Sequence, residues 1–152
     1  MNYEKPHCTR LEAVETAADK VITVTYTDGR VVCVDLSAII HSLDIFSSLD
    51  DPIEFATAAV TDFGWSLEWD CGASLDSDRV LEMALEQAGL LDNVRFRRWQ
   101  ETYGLSLSDA AQAIGVTRRT ISQYRSGKRP VPRTIALACK GWEVEQQAVR
   151  ME

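Results

Sequence analysis

Residues 105–129 read L-S-L-S-D-A-A-Q-A-I-G-V-T-R-R-T-I-S-Q-Y-R-S-G-K-R, and no other stretch restricts the fold as much. The pattern predicts two short helices joined by a tight turn. Ser106 or Ser108 can cap the first helix, and Ala110, Ala111 and Ile114 then share one face at helical spacing. Gly115 ends that helix where a left-handed backbone is needed, which glycine adopts at little cost. Val116 fills the turn. Thr117 is a favourable cap for a second helix over residues 118–125. Ile121 and Tyr124, three apart, form its inner side, while Arg118, Arg119, Ser122 and Gln123 point outward. Gly127 closes the helix, and Lys128 and Arg129 follow it.

This pattern resembles the helix-turn-helix of the lambda-repressor and Cro-like family. Ala111 stands where the two helices cross, Gly115 stands at the turn four residues later, and Ile121 is the apolar plug six residues further on. The S-G-K-R close resembles the family's usual N-G-x-x. An ordinary helical hairpin would explain the apolar positions, but not a second helix whose outer side is basic and amide-bearing. The resemblance implies that this second helix enters the major groove. Arg118 and Arg119 suit guanine or phosphate there, and Gln123 suits adenine, beside Ser122. Thr117 and Thr120 suit phosphate or a thymine methyl. Lys128, Arg129 and Arg133 suit phosphate, which gives affinity without sequence information.

The chain departs from the family pattern in two places. Many members pair an Arg of the first helix with a Glu ending the recognition helix; the matching positions here are Gln100 and Arg125. A Glu101–Arg125 contact could replace that pair, or the pair could be lost, leaving Arg125 to reach phosphate. After Arg129, Pro130-Val131-Pro132 forms a stiff link, and Pro132 starts a further helix toward Trp142.

The net charge of −7 over 152 residues would argue against nucleic acid, but it is unevenly distributed. Residues 1–92 hold 5 Lys and Arg against 18 Asp and Glu, a charge of −13. Residues 93–140 hold 10 against 2, a charge of +8, and residues 141–152 hold 1 against 3, a charge of −2. The basic block begins where the helix-turn-helix region begins, the footprint expected of a nucleic-acid-binding half. With 45% apolar and 26% charged residues the composition is that of a soluble globular protein. No apolar run approaches the ~20 residues that span a bilayer, so no membrane partner is expected. Residues 1–20 carry acids without an apolar stretch, so no secretory signal is expected and the cytoplasm is the default compartment. Cys8, Cys33, Cys71 and Cys139 are widely spaced, which predicts free buried thiols and no zinc site.

From the front, residues 1–9 read as loose and 10–14 as a first strand. Ile22, Val24 and Tyr26 alternate with threonines, Asp28-Gly29 supplies a two-residue turn, and Val32, Val34 and Leu36 alternate on the return strand. Ser37 can cap a short helix over 38–42, and Asp51-Pro52 opens another. Residues 58–63 read as a strand, and Trp65, Leu67 and Trp69 as one face of the next, packed inward. Residues 77–87 predict a helix capped by Asp76 or Ser77, with Val80, Leu81, Ala84 and Leu85 as its stripe, connecting the two domains. Asp92-Asn93 caps a helix over 94–103, with Phe96, Trp99 and Tyr103 inward and Arg95, Arg97 and Arg98 outward.

The T-Y-T-D-G-R hairpin, D-L-S at 35–37, Asp51-Pro52 and W-D-C-G-A at 69–73 resemble a small bacterial domain of unknown function, family 2442. The resemblance covers residues 6–80. It implies an antiparallel sheet in an α+β fold and no particular chemistry. Some members carry a helix-turn-helix behind them, and some that occur alone lie beside small toxin-like genes, which implies, by analogy only, an antitoxin-like role.

The expected architecture is therefore α+β: a small antiparallel-sheet domain over 1–90, followed by an all-α helix-turn-helix domain over 91–152. The first functional reading is a homodimeric transcriptional regulator that binds double-stranded DNA, its N-terminal domain sensing, dimerising or docking a partner. The second is an antitoxin-like module whose acidic domain binds a partner protein. An enzyme is the least favoured: His7 and His41 lie in different segments, Asp76 and Asp78 suit a helix start, and phosphate- or dinucleotide-binding glycine motifs are absent. No cofactor is implied.

Overall fold

A computed structural model describes residues 9–151 of the chain. Two compact units divide it after Gln87. His7, Cys8 and the segment expected to be loose before Thr9 lie outside the described residues.

The first unit is mixed α and β. Strands β1 (Leu11–Thr16), β2 (Val21–Tyr26) and β3 (Val31–Asp35) form an antiparallel sheet in that order. Its inner face carries the alternating residues of the hairpin: Ile22, Val24, Tyr26 and Val34 are buried, with Leu36 just beyond. The hairpin turn differs from the expected two-residue loop. A two-residue type I′ turn needs positive φ at both Asp28 and Gly29. Only Gly29 has it, at +88°, and the amide of Tyr26 bonds to the carbonyl of Arg30 at 2.8 Å across a three-residue loop. The carboxylate of Asp28 accepts from the Arg30 amide at 3.0 Å, which favours the longer loop.

Helix α1 (Ser37–Ser42) follows, then a 3-10 helix (Asp44–Asp50) and the short α2 (Pro52–Phe55). Asp35, not Ser37, satisfies the start of α1: its carboxylate accepts from the Ser37 amide at 2.9 Å. The Ser37 hydroxyl and amide hold the Asp35 carboxyl below its ordinary value. Asp51 caps α2 through the Ile53 amide at 3.0 Å.

A second antiparallel sheet orders β4 (Ala59–Thr61), β5 (Ser66–Glu68) and β6 (Ser74–Asp76). The strand expected over 58–63 stops at Thr61, because Asp62 and Phe63 turn into positive φ at 52° and 56°. Gly64 continues that turn at +94° in a close approach: a β-carbon there would lie 2.5 Å from the Leu11 carbonyl oxygen. Leu67 and Trp69 are buried, the Trp69 indole donating to the Phe55 carbonyl at 3.0 Å. Trp65 falls short of the strand and is only half-buried, with the Arg10 guanidinium 5.8 Å over its ring.

Helix α3 (Ser77–Gln87) is capped by Asp76, whose carboxylate accepts from the Arg79 amide at 2.8 Å. Its inner stripe is Val80, Leu81, Met83 and Leu85, with Ala84 half-buried. It is not a connector but part of the first unit. Gln87 pairs through its amide with both backbone groups of Asp35, at 2.9 and 2.8 Å, and so closes that end of the β3 edge. Residues 88–90 make the link.

The second unit is all helix: α4 (Leu91–Thr102), α5 (Leu107–Ile114), α6 (Arg118–Ser126) and α7 (Arg133–Arg150). Phe96, Trp99, Ala110, Ala111, Ile121, Tyr124, Val131 and Cys139 form its core. Trp142 closes one side, edge-on to Trp99 and Tyr103 at centroid distances of 5.6 and 4.9 Å. Among the described residues, no helix is long and apolar enough to cross a membrane.

Candidate nucleic-acid interface

The turn between α5 and α6 is built by local chemistry. Ser106 caps α5, accepting from the Asp109 amide at 3.0 Å. Gly115 ends α5 in the left-handed region at φ 73°, and Thr117 caps α6 by accepting from the Thr120 amide at 3.1 Å. These groups satisfy amides and carbonyls that helix ends leave open. Ala110 and Ile121, both fully buried, and Ala111 let α5 and α6 pack closely.

One side of α6 is therefore fixed against the core and the other is bare. Thr117, Arg118, Arg119 and Ser122 are exposed, and Gln123 is half-buried at the edge. Thr120 is half-buried, its hydroxyl 2.9 Å from that of Thr117, so it helps hold the helix start. Gly127 ends α6 at φ 78°. Beyond it Lys128, Arg129 and Arg133 are exposed. Five guanidinium and ammonium groups thus stand on α6, on the link behind it and at the start of α7.

Arg125 does not join them. It is 2% exposed, and its guanidinium donates to the Gln100 side-chain oxygen at 2.8 Å and lies 3.6 Å from the Glu101 carboxylate. The Glu101–Arg125 contact considered from the sequence is therefore present, with Gln100 beside it, and Arg125 is withdrawn from the outer side. A helical wheel misplaces it, because it stands three residues after Ser122 and seven after Arg118. The packing of α4 over the last turn of α6 decides its place.

Arg97 and Asn93 are corrected in the same way. Expected outside, Arg97 is 1% exposed and donates to the Arg125 carbonyl at 2.7 Å. Asn93, expected to cap a helix, lies within α4; its amide donates to the carbonyls of Tyr124 and Arg129, both at 2.9 Å, and its oxygen accepts from the Val131 amide at 2.9 Å. These α4 side chains satisfy backbone groups left open where α6 ends and the next link begins. A positive charge at the carboxyl end of α6 also suits its dipole. Their signal was in the sequence: Asn93, Arg97 and Gln100 recur at spacings of four and three, a polar stripe beside the aromatic one. Arg95 and Arg98 are exposed, as expected, with Arg95 bonded to Asp92 at 3.1 Å.

Other chemistries find less support. His41 lies 3.9 Å from Asp50 on an open surface, and Asp76 and Asp51 serve as helix caps. Among the described residues no group of three His, Cys, Asp or Glu could hold a metal ion. Cys33 and Cys71 are exposed rather than buried, whereas Cys139 is buried and its thiol is pushed up to about 12 by desolvation first and by Glu143 second.

The helix-turn-helix domain family matches residues 94–150. No curated protein matches the chain. A solved structure is similar over most of its length: "Crystal Structure of Putative DNA Binding Protein NE0471 from Nitrosomonas europaea ATCC 19718", at 36% identity, covering 89% of this chain and 86% of that one, with a TM-score of 0.66. The chain belongs to the same family as that protein. The shared length takes in most of both units.

Proposed function

We propose that the protein is a sequence-specific DNA-binding transcriptional regulator that reads the major groove with α6. The observation that carries this reading is the two-sidedness of α6: Ile121, Tyr124 and Arg125 are locked beneath it, while Arg118, Arg119 and Ser122 are bare above it. A helix with an exposed cationic and hydroxyl side is what major-groove readout needs. Gln123 at the edge adds a bidentate adenine reader. Lys128, Arg129 and Arg133 contact phosphate and set register. The printed name of the similar protein supports the same partner.

Binding is by a homodimer. One such helix reads only a few base pairs, and two related by symmetry meet successive major grooves ~34 Å apart. The test is selection of bound duplexes from a random pool by the full chain. Enrichment of an inverted repeat with half-sites about one helical turn apart is expected; a pool that never departs from its starting composition would exclude sequence-specific reading.

A second reading, docking of a protein partner by the first unit, is favoured by Ile45, Ile53 and Phe63, exposed by 72, 80 and 79% in an acidic segment. The resemblance to the family 2442 domain supports it as well. The salt response separates the two. DNA affinity falls steeply with salt, and a complex made through apolar contacts does not.

A further inference from the structure

The core of the second unit takes one side of α7: Ile135, Cys139 and Trp142 face it, with Ala136 beside them. At 100° per residue, the opposite side carries Leu137, Gly141, Val144, Ala148 and Met151, at spacings of four, three, four and three. All five are exposed, the three large ones by 49% at Leu137, 65% at Val144 and 88% at Met151. No other helix of the second unit covers them. An apolar seam repeating every 3.5 residues on average is what two packed helices require, and small residues at alternate positions let the axes come close.

The charges beside the seam choose the occupant. Taking Gly141 and Ala148 as positions a, with Leu137, Val144 and Met151 as d, Lys140 falls at g and Glu145 at e. Both are exposed. In a parallel pair a g residue meets the e residue five places later on the other helix. Two copies of α7 side by side therefore join Lys140 of each to Glu145 of the other. An antiparallel pair would set like charges near each other.

We infer that α7 is the dimerisation element: two copies of this chain pack parallel along Leu137, Gly141, Val144, Ala148 and Met151, with reciprocal Lys140–Glu145 ion pairs. The inference deepens the proposed homodimer and rests on that reading. The two-fold axis runs along the seam and relates one recognition helix to the other.

Self-association of the full chain by sedimentation equilibrium tests it. A β-carbon at Gly141 meets nothing within 4 Å, so Gly141→Glu is accepted by the single chain. It should weaken the dimer about tenfold or more, with an unchanged circular dichroism spectrum. Lys140→Glu and Glu145→Lys should each weaken it about threefold, and the double exchange should restore it. A monomeric wild-type chain, a dimer indifferent to Gly141→Glu, or a dimer tightened by Glu145→Lys would each overturn the inference. DNA binding is read separately on a single half-site. A monomer that binds the half-site sinks the seam and keeps the DNA reading; a seam-dependent dimer that binds no duplex does the reverse.

Discussion

Arg125 shows how far a side chain's role depends on its neighbours. Its guanidinium bonds to Gln100, while its carbonyl accepts from Arg97, so it joins α4 to α6 from both ends. Arg125→Ala leaves the Gln100 oxygen without that donor and opens a void. The expected loss of stability is roughly 3 kcal/mol in denaturant unfolding, the scale for breaking a buried charged contact. An effect confined to DNA affinity, with stability unchanged, would return Arg125 to the outer side. Cys139 makes a second test. Burial pushes its thiol up to about 12, well above the ordinary cysteine range, so the folded state favours the neutral form. The stability this contributes is complete below pH ~9 and is lost as pH rises toward the folded value, because only the unfolded thiol ionises in between. Cys139→Ala should therefore flatten part of the alkaline loss of stability relative to wild type. In the folded chain iodoacetamide at pH 8 should label Cys33 and Cys71 well before Cys139, as peptide mass spectrometry would show.

At the level of elements, α6 and the turn at Gly64 each make a separable claim. Arg119→Ala and Gln123→Ala should each cost ~1–3 kcal/mol on the selected duplex and relax preference at one position. Arg129→Ala should weaken all duplexes alike and lower the salt slope by about one unit per protomer. Fluorescence anisotropy over a salt series measures both. If the first pair left affinity and preference intact, α6 would not be the reading helix. Gly64 lies where β1 crowds the turn between β4 and β5. Gly64→Ala meets the Leu11 carbonyl and a φ of +94° together, so it should destabilise the first unit by at least ~2 kcal/mol. Gly115→Ala, also at positive φ but with nothing within 4 Å, should cost less. Equal losses would mean that backbone strain alone decides both.

Across the whole molecule, two units with separate cores carry opposite charge. Residues 1–87 hold 5 Lys and Arg against 17 Asp and Glu, a charge of −12, and residues 88–152 hold 11 against 6, a charge of +5. A fragment of residues 1–87 contains both sheets and α3, so it should fold alone and shift no duplex even in low salt, where charge effects are largest. Residues 88–152 should retain binding to a half-site. A shift produced by the first fragment would overturn the division of labour.

The helix-turn-helix was legible because its determinants are local. A serine or threonine cap, a glycine in the left-handed region and apolar residues three and four apart act within a few residues, and the structure uses Ser106, Gly115 and Thr117 as expected. The alternation of Ile22, Val24 and Tyr26 is local in the same sense, as is the helix of residues 77–87. What the sequence left open depends on partners distant along the chain. The length of the hairpin loop turned on the competition of Asp28 for the Arg30 amide. Strand β6 is three residues long and exists only because β5 pairs with it. Arg97, Arg125 and Asn93 are polar residues whose burial becomes favourable only when α4 and α6 meet and exchange hydrogen bonds, since a buried polar group without a partner is costly. Helical spacing could place them around their own helices; only the packing of one helix on another decided which side of each would face water.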